Sequence, residues 1–172
     1  MDFSYQDERF ADLQLLRYRL NGFEELSLKQ KKLIFFLSQA TLYGRDITFD
    51  QNGKYNLRIR KMLEAVYTDT DVIRCSDDFM AMELYLKRVW FSNGIHHHYG
   101  CDKFQPSFSR EWLYDAVHHV DSCRLPLRDG ERPRSRPLHR AAHARALAQG
   151  DVRLTFQVMS RTPIGLPGEV DA

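Results

Sequence analysis

The chain has 172 residues, of which 43% are hydrophobic and 12% aromatic, and a net charge of +2 at pH 7. This length is enough for one domain with a hydrophobic core, and the composition excludes a chain that is disordered throughout. The charge is uneven, because residues 1–123 carry 16 basic and 18 acidic side chains, whereas residues 124–172 carry nine arginines and five acids.

The first part of the chain is predicted to be mainly helical. A first helix is predicted before Asn21-Gly22 from apolar residues at helical spacing, namely Phe10, Leu13, Leu16 and Leu20. Ser27 and Gln30 fit a capping box at the start of a second helix, and Gly44 is expected to end it in the left-handed conformation. The predicted apolar stripe of this helix consists of Leu33, Phe36, Leu37 and Ala40.

The stretch RDITFDQNGKY, residues 45–55, is predicted to be a break with a turn at Asn52-Gly53. A helix from about Tyr55 follows, and two more are predicted to begin at the N-caps Ser76 and Ser109. Asn93-Gly94 is predicted to end the helix that Ser76 begins. The buried faces of these three helices are expected to contain Ile59, Met62, Leu63 and Val66, then Phe79, Met82, Tyr85, Leu86 and Val89, and finally Trp112, Leu113, Ala116, Val117 and Val120.

The character of the sequence changes at about Cys123. Five of the six prolines follow this point, no lysine follows Lys103, and Phe156 is the one aromatic residue after Tyr114. Three interpretations stay open, namely a disordered basic tail, a segment that folds on a partner, and a stretch translated out of its proper frame. We therefore divide the chain into a helical region, residues 1–122, and a low-order Arg/Pro-rich tail, residues 123–172.

Three consecutive histidines, His96, His97 and His98, form the most conspicuous candidate site. Neutral imidazole is the commonest metal ligand, but adjacent residues point in different directions and rarely place three nitrogens on one ion. No histidine is followed by the glutamate of an H-E-x-x-H motif, and Gly-rich phosphate loops and nucleophile motifs are absent from the sequence. We therefore predict no metal or catalytic site here, and interpret the stretch as a polar turn that hydrogen-bonds locally or lines a groove.

The cysteines and the hydropathy restrict the class of protein further. Cys75, Cys101 and Cys123 are an odd number without C-x-x-C spacing, which argues against a disulfide framework or a Cys-rich zinc site. No apolar run has the length of a membrane span, and the first residues do not form a secretory signal. The sequence as written predicts a cytoplasmic chain.

Two stretches of the chain resemble one family of enzymes. One is residues 10–68, with the run SLKQK…LSQA…GRDI…DQN…YN…IR, and the other is residues 85–109, YLKRVWFSNGIHHHYGCDKFQPSFS. The most specific part is Ser92-Asn93-Gly94 followed by Lys103-Phe104 and Pro106, which is similar to the family's S-N-x-G…K-F-x-P pattern. Over residues 5–121 the chain resembles the N-terminal part of dipeptidyl peptidase III in its bacterial form.

The resemblance implies a zinc-dependent exopeptidase that removes dipeptides from the N-termini of peptides. In this family two lobes surround a wide cleft. Zinc is bound by both histidines of an H-E-x-x-G-H helix motif and by a glutamate of a later E-E-x-x-A-D motif. Neither motif occurs in this sequence. The resemblance therefore predicts a truncated homologue that contains the helical N-terminal part of a two-lobed metallopeptidase and is inactive alone, while zinc belongs to the intact enzyme.

The same resemblance suggests substrate-cleft residues and partners. The expected cleft residues are Asn93, Gly94, His96, His97, His98, Tyr99 and Lys103. The expected partners are peptides, for the intact enzyme, and the missing remainder of the peptidase.

The alternative function is an independent helical interaction module whose basic tail binds nucleic acid or an acidic partner. Scattered prolines and few aromatic residues in the tail argue against nucleic acid.

Overall fold

The computed structural model describes residues 3–69, 74–100, 102–126 and 158–160. The protein is mainly helical with one small sheet, as the sequence predicted. It divides into two units, Met1–Phe49 and Asp50–Ala172. The strands are β1 (Gln6–Phe10) and β2 (Leu13–Leu16), the helices are α1 (Leu28–Tyr43), α2 (Arg45–Asn52), α3 (Asn56–Thr68), α4 (Asp77–Ser92) and α5 (Arg110–His119), and short 3-10 turns cover Phe23–Glu25 and Ser122–Arg124.

The predicted first helix is wrong, because this segment forms an antiparallel hairpin of β1 and β2. Leu13 and Leu15 are half-buried and alternate with exposed neighbours, so the period is two rather than that of a helix. The two-residue turn contains Ala11, whose φ is +50°. The side-chain amide of Gln14 also donates to the carbonyl of Asp7 at 3.1 Å. Local pairing thus replaces the helix that the leucine spacing suggested.

The capping box at the start of α1 is confirmed. The Gln30 amide N–H donates to the Ser27 hydroxyl at 3.4 Å, and the Ser27 amide N–H donates to the Gln30 side chain at 2.9 Å. Gly44 does end α1, but the expected left-handed conformation is wrong, because its φ is −84°. The backbone stays right-handed here since α2 begins at the next residue, and the Ile47 N–H donates to the Gly44 carbonyl.

The apolar side chains of α1 lie at the surface. All 16 residues of this helix are described and none is buried. The predicted stripe is largely exposed, with relative exposures of 59% for Leu33, 65% for Phe36 and 57% for Leu37. Among residues 3–49, Phe49 is the one buried side chain. Residues 3–49 therefore form no hydrophobic core of their own.

The predicted break at residues 45–55 is partly wrong. Arg45–Asn52 is helical, with Asp46 in the first turn, where its charge complements the helix dipole. Phe49 is its buried residue. The turn signal Asn52-Gly53 is confirmed as the end of α2, and α3 begins three residues later, at Asn56.

The core of the second unit lies on α3, α4 and α5, where α3 packs against both other helices. The residues predicted for the inner faces of α3 and α4 are all buried, and Ile59, Leu63, Met82 and Leu86 are at most 1% exposed. In α5 the prediction is confirmed for four residues, while Trp112 is half-buried. Its ring makes T-shaped contacts with the rings of Phe79 and Phe108.

Both predicted serine caps are confirmed. Ser76 accepts from the Phe79 N–H and Ser109 accepts from the Trp112 N–H, each at 3.1 Å. The Ser109 N–H also donates to the Asp78 carboxylate at 2.6 Å. Because Asp78 is in the first turn of α4, this bond connects the N-terminal ends of α4 and α5.

We expect Ser109→Ala to lower the free energy of unfolding by about 1 kcal/mol, since the substitution leaves a first-turn N–H of α5 without its cap. Urea unfolding followed by circular dichroism measures this change. Ser107→Ala is the matched control, because Ser107 is an exposed serine two residues earlier. Equal losses in both variants would contradict a capping role.

The predicted tail, residues 123–172, lies mostly outside the described residues, which include only 123–126 and 158–160 of it. Of the cysteines, Cys75 and Cys123 are free and exposed, while Cys101 is not among the described residues. In the part of the chain that the structure describes, no helix combines the length and the apolar character that a membrane span requires.

Candidate functional site

The candidate site is the segment that follows α4, residues 93–104, which we call the histidine loop. Asn93 ends α4 in the left-handed conformation, with φ +52°, so the predicted helix end is confirmed. The Gly94 N–H donates to the Val89 carbonyl at 3.1 Å. The Asn93 carbonyl in turn accepts from the side-chain amide of Asn52 at 3.1 Å. The start of the loop is thus fixed to the end of α2 as well as to α4.

The two ends of the histidine loop pair with each other. The Phe104 N–H donates to the Ile95 carbonyl at 2.9 Å, and His96 forms an antiparallel bridge with Lys103. Ile95 and Phe104 are both buried, at 3% and 9% exposure. These two apolar residues therefore anchor the loop in the core, while His96 and Tyr99 between them are exposed.

The buried side chain of Asn56 contacts the start of the histidine loop. It is 2% exposed, and its Oδ1 accepts from the Ile95 N–H at 3.4 Å. Its Nδ2 lies close to the backbone of two glycines. A Cβ atom added at Gly94 would be 2.4 Å from this Nδ2, and one added at Gly53 would be 3.0 Å from it. Sequence reasoning missed Asn56, because its position near the start of the helix predicted from about Tyr55 contained no signal of this role.

The aromatic rings of the loop form a small stack. The centroids of His97 and His98 are 4.4 Å apart with an interplanar angle of 29°, and those of His98 and Tyr99 are 4.1 Å apart. The Phe91 ring from α4 approaches His98 edge-on at 4.8 Å. Tyr99 is 91% exposed, so the stack ends in an aromatic ring that faces solvent.

The imidazoles of the stack lie face to face and do not converge on a common point. Within residues 3–69, 74–100, 102–126 and 158–160, no group of three His, Cys, Asp or Glu side chains is placed to hold a metal ion. The loop offers hydrogen-bonding groups and an aromatic surface, both of which can contact a bound ligand.

The pKa of His96 is lowered from its ordinary value of 6.5, first by partial burial and second by the charge of Lys103. A lowered pKa means that the unfolded chain binds this proton more tightly than the folded chain. The contribution of His96 to stability is therefore fully present above pH 6.5, and it is lost as the pH falls from 6.5 through the folded-state pKa.

We expect an NMR titration of His96 to give a midpoint below 6.5. Lys103→Gln removes the smaller cause and should move the midpoint upward without restoring it fully, because partial burial persists. The wild-type chain, titrated under the same conditions, is the reference. An unchanged His96 midpoint in Lys103→Gln would contradict the assigned charge effect.

The structure places all seven predicted cleft residues in this one loop. Asn93 and Gly94 form the turn at its start through their backbone, Asn93 by its left-handed conformation and Gly94 by its N–H bond to Val89. The other five present side chains at its surface, with His96 and Tyr99 exposed and His97, His98 and Lys103 half-buried. Arg88 of α4 adds a further cation, since its guanidinium lies 5.5 Å from the centre of the Phe104 ring.

Comparison with known proteins adds no family assignment. No protein-family model matches the chain, and a search of curated proteins finds no match.

Proposed function

We propose that this chain is a non-catalytic homologue of the N-terminal part of dipeptidyl peptidase III, in which the histidine loop forms part of the wall of a peptide-binding cleft. On this proposal the chain acts with a polypeptide that carries the zinc-binding and catalytic motifs, and it does not hydrolyse peptides by itself. The substrates of such an assembly are short peptides with free N-termini.

The observation that supports this proposal most is that two separated parts of the family pattern meet in one structural unit. Ser92-Asn93-Gly94 ends α4 and opens the histidine loop, and Lys103-Phe104 closes it by pairing with His96 and Ile95. Agreement between a sequence pattern and a local structure is expected when the pattern was selected for that structure.

The surface of the loop suits a peptide ligand. The exposed ring of Tyr99 offers an apolar face, and the neighbouring imidazoles can donate to or accept from peptide groups. Lys103 and Arg88 place two cations at the loop, and Asp102 adds one exposed acid, so both carboxylate and amino groups of a peptide can find a charged partner there. These features support binding of a peptide and leave the hydrolytic step to residues elsewhere.

The exposure of α1 also supports the proposal. A helix with apolar residues on all sides is typical of the interior of a larger protein. In α1 the run Leu33–Leu37 is apolar at every position, and each of these side chains is at least 42% exposed. Such a surface is expected in a chain that packs against further protein.

A first test is an activity assay with dipeptidyl 2-naphthylamides and added zinc. The chain alone should release no naphthylamine above a chelated control. Adding a polypeptide with the zinc-motif part of a bacterial dipeptidyl peptidase III should give turnover. Tyr99→Ala, at an exposed position, should raise the KM of that mixture, while Tyr18→Ala, at another exposed tyrosine, should not. Turnover by the chain alone, or none in the mixture, would contradict the proposal.

A second test reads the coding DNA in all three frames from about codon 120. A frame that continues into H-E-x-x-G-H and the later glutamate motif would support a broken peptidase gene. If the other frames close quickly and the frame of the tail is verified, the arginine-rich segment is genuine. The alternative binding module then predicts salt-dependent binding to random duplex DNA that is lost on removing residues 124–172.

A further inference from the structure

His96 and Lys103 lie side by side where the two ends of the histidine loop pair. Two backbone hydrogen bonds of 2.9 and 2.8 Å flank this pair, and they run from Phe104 to Ile95 and from His97 to Asp102. This pattern makes His96 and Lys103 a non-hydrogen-bonded antiparallel pair. In such a pair the Cα atoms are about 4.5 Å apart, so the two side chains are as close as neighbouring strands allow.

The two side chains of the pair point away from the core. Successive residues of a paired segment alternate between its two faces, so Phe104 and His97 lie on the face opposite to the pair. Phe104 is buried, and its ring centre is 6.3 Å from that of His97. His96 is exposed and Lys103 is half-buried. The pair therefore offers two nitrogen-bearing side chains to a ligand from a fixed piece of backbone.

The other charged groups near the pair lie on the opposite face or beyond it. Asp102 directly precedes Lys103, so alternation places its carboxylate on the opposite face. Arg88 of α4 belongs to the same opposite face, because its guanidinium lies over the ring of Phe104. His98 is in the turn beyond the pair, where it stacks on its neighbours.

A proton on His96 has an unfavourable neighbour in this arrangement. The pKa of His96 is lowered first by partial burial and second by the ammonium of Lys103, and no carboxylate of the described residues opposes these two causes. Like charges that face each other across two strands repel. An anion held by both side chains would replace this repulsion with two charge-assisted hydrogen bonds.

We propose that His96 and Lys103 together bind a carboxylate group of a peptide, and that His96 takes up a proton from solvent when the carboxylate binds. The Lys103 ammonium donates to one carboxylate oxygen and the imidazolium of His96 donates to the other. A carboxylate suits two donors that stand side by side because it has two oxygens. This inference rests on the proposed function in that the ligand is a peptide, and it adds which residues bind the acidic group.

An NMR titration of the full chain with N-acetyl-alanyl-alanine, whose C-terminal carboxylate is free, tests the proposal. Because a single surface ion pair binds weakly, the peptide is added up to about 20 mM at constant ionic strength. The titration midpoint of His96 should rise, since a bound carboxylate stabilises the imidazolium. The C-terminal amide of the same peptide is the matched control and should leave the midpoint unchanged. No rise with the acid, or an equal rise with the amide, would overturn the proposal.

Three variants assign the binding to the pair, with affinity read from backbone amide shifts of the loop. The wild-type affinity for the peptide acid should be about twofold to fivefold higher at about pH 5.5 than at about pH 8, because the charge of His96 adds an ion pair. His96→Asn should abolish this dependence on pH. Lys103→Gln should lower the affinity about twofold to fivefold. Lys29→Gln removes the same charge from an exposed lysine of α1 and should leave the affinity unchanged.

Equal losses in the two lysine variants would mean attraction by net charge alone and would overturn the assigned site. A second probe, the α-amide of N-acetyl-aspartic acid, carries its carboxylate on a side chain. If only the alanyl peptide binds, the ligand group is a peptide C-terminus, and if both probes bind, any accessible carboxylate serves; each result supports the pair.

The two probes also separate this inference from the proposed function. Both are acetylated and lack a free N-terminus, so they are not substrates of the proposed peptidase, and their binding is measured on the chain alone. If the reconstituted mixture shows no turnover, the proposed function fails while carboxylate binding stands. If the probes do not bind although the mixture is active, this inference alone is overturned.

Discussion

Gly94→Ala is expected to destabilise the second unit by about 3 kcal/mol, because the new methyl group would overlap the buried amide of Asn56. The Cβ would lie 2.4 Å from Nδ2, closer than real Cβ contacts allow. The Asn56 side chain cannot move away from the new methyl group easily, since it is 2% exposed and its Oδ1 accepts a hydrogen bond from the Ile95 N–H. Urea unfolding followed by circular dichroism measures the loss.

Gly100→Ala is the matched control for this prediction, because it adds the same methyl group in the same loop. There the nearest atom, in Asp102, would be 3.7 Å away, which is an ordinary contact. We expect the control to change stability by less than about 0.5 kcal/mol. Asn56→Ala removes the clashing group, so the Gly94→Ala and Asn56→Ala changes should be strongly non-additive. Additive losses would contradict the proposed overlap.

Leu86→Ala should lower the free energy of unfolding of the second unit by about 2–5 kcal/mol. Leu86 lies on the inner face of α4 and is fully buried, so truncation removes apolar contacts and leaves a cavity. Since domains of this size are stabilised by only about 5–15 kcal/mol, the variant should unfold at clearly lower urea concentration.

Leu84→Ala provides the comparison within the same helix. Leu84 is 39% exposed, so the same truncation should cost much less than at Leu86. Both substitutions keep the helix propensity high, because alanine and leucine are strong helix formers. If the two variants lose similar stability, the α3–α4–α5 core is not packed as described.

The helices of the second unit could be predicted from the sequence because their signals are local. Ser76 and Ser109 are N-caps with their bonding partners three residues away. The apolar residues that follow them keep a strict helical period, and this period has one interpretation. Strong local signals of this kind survive in the folded chain because tertiary packing reinforces them.

The first unit could not be predicted in the same way. The spacing of Leu13 and Leu16 fits a helix, while Leu13 and Leu15 fit a strand, so the pattern alone does not decide between them. The hairpin turn also lacks the Asn-Gly or Asp-Gly signal that would have indicated it, because its first residue is Ala11. The helical segment Arg45–Asn52 has few apolar residues, so the spacing of its apolar residues does not reveal a helical period.

The candidate site was only partly predictable. The seven loop residues are contiguous or nearly so, and a turn there follows from Asn93-Gly94. The hydrogen bond that holds the loop, from the Ile95 N–H to Asn56, spans 39 residues of sequence. Contacts of this range depend on how α3 and α4 pack, and a single sequence contains no local signal for them.

The placement of Asn56 has a consequence for ligand binding. Because this residue belongs to α3 and the loop follows α4, the hydrogen bond from the Ile95 N–H to Asn56 ties the loop to the packed pair of helices. Any molecule that binds the closed loop therefore also binds the packed helix pair in preference to the unfolded chain. Its affinity can thus be measured from a rise in melting temperature, without catalysis, since stability increases by RT ln(1 + [L]/Kd).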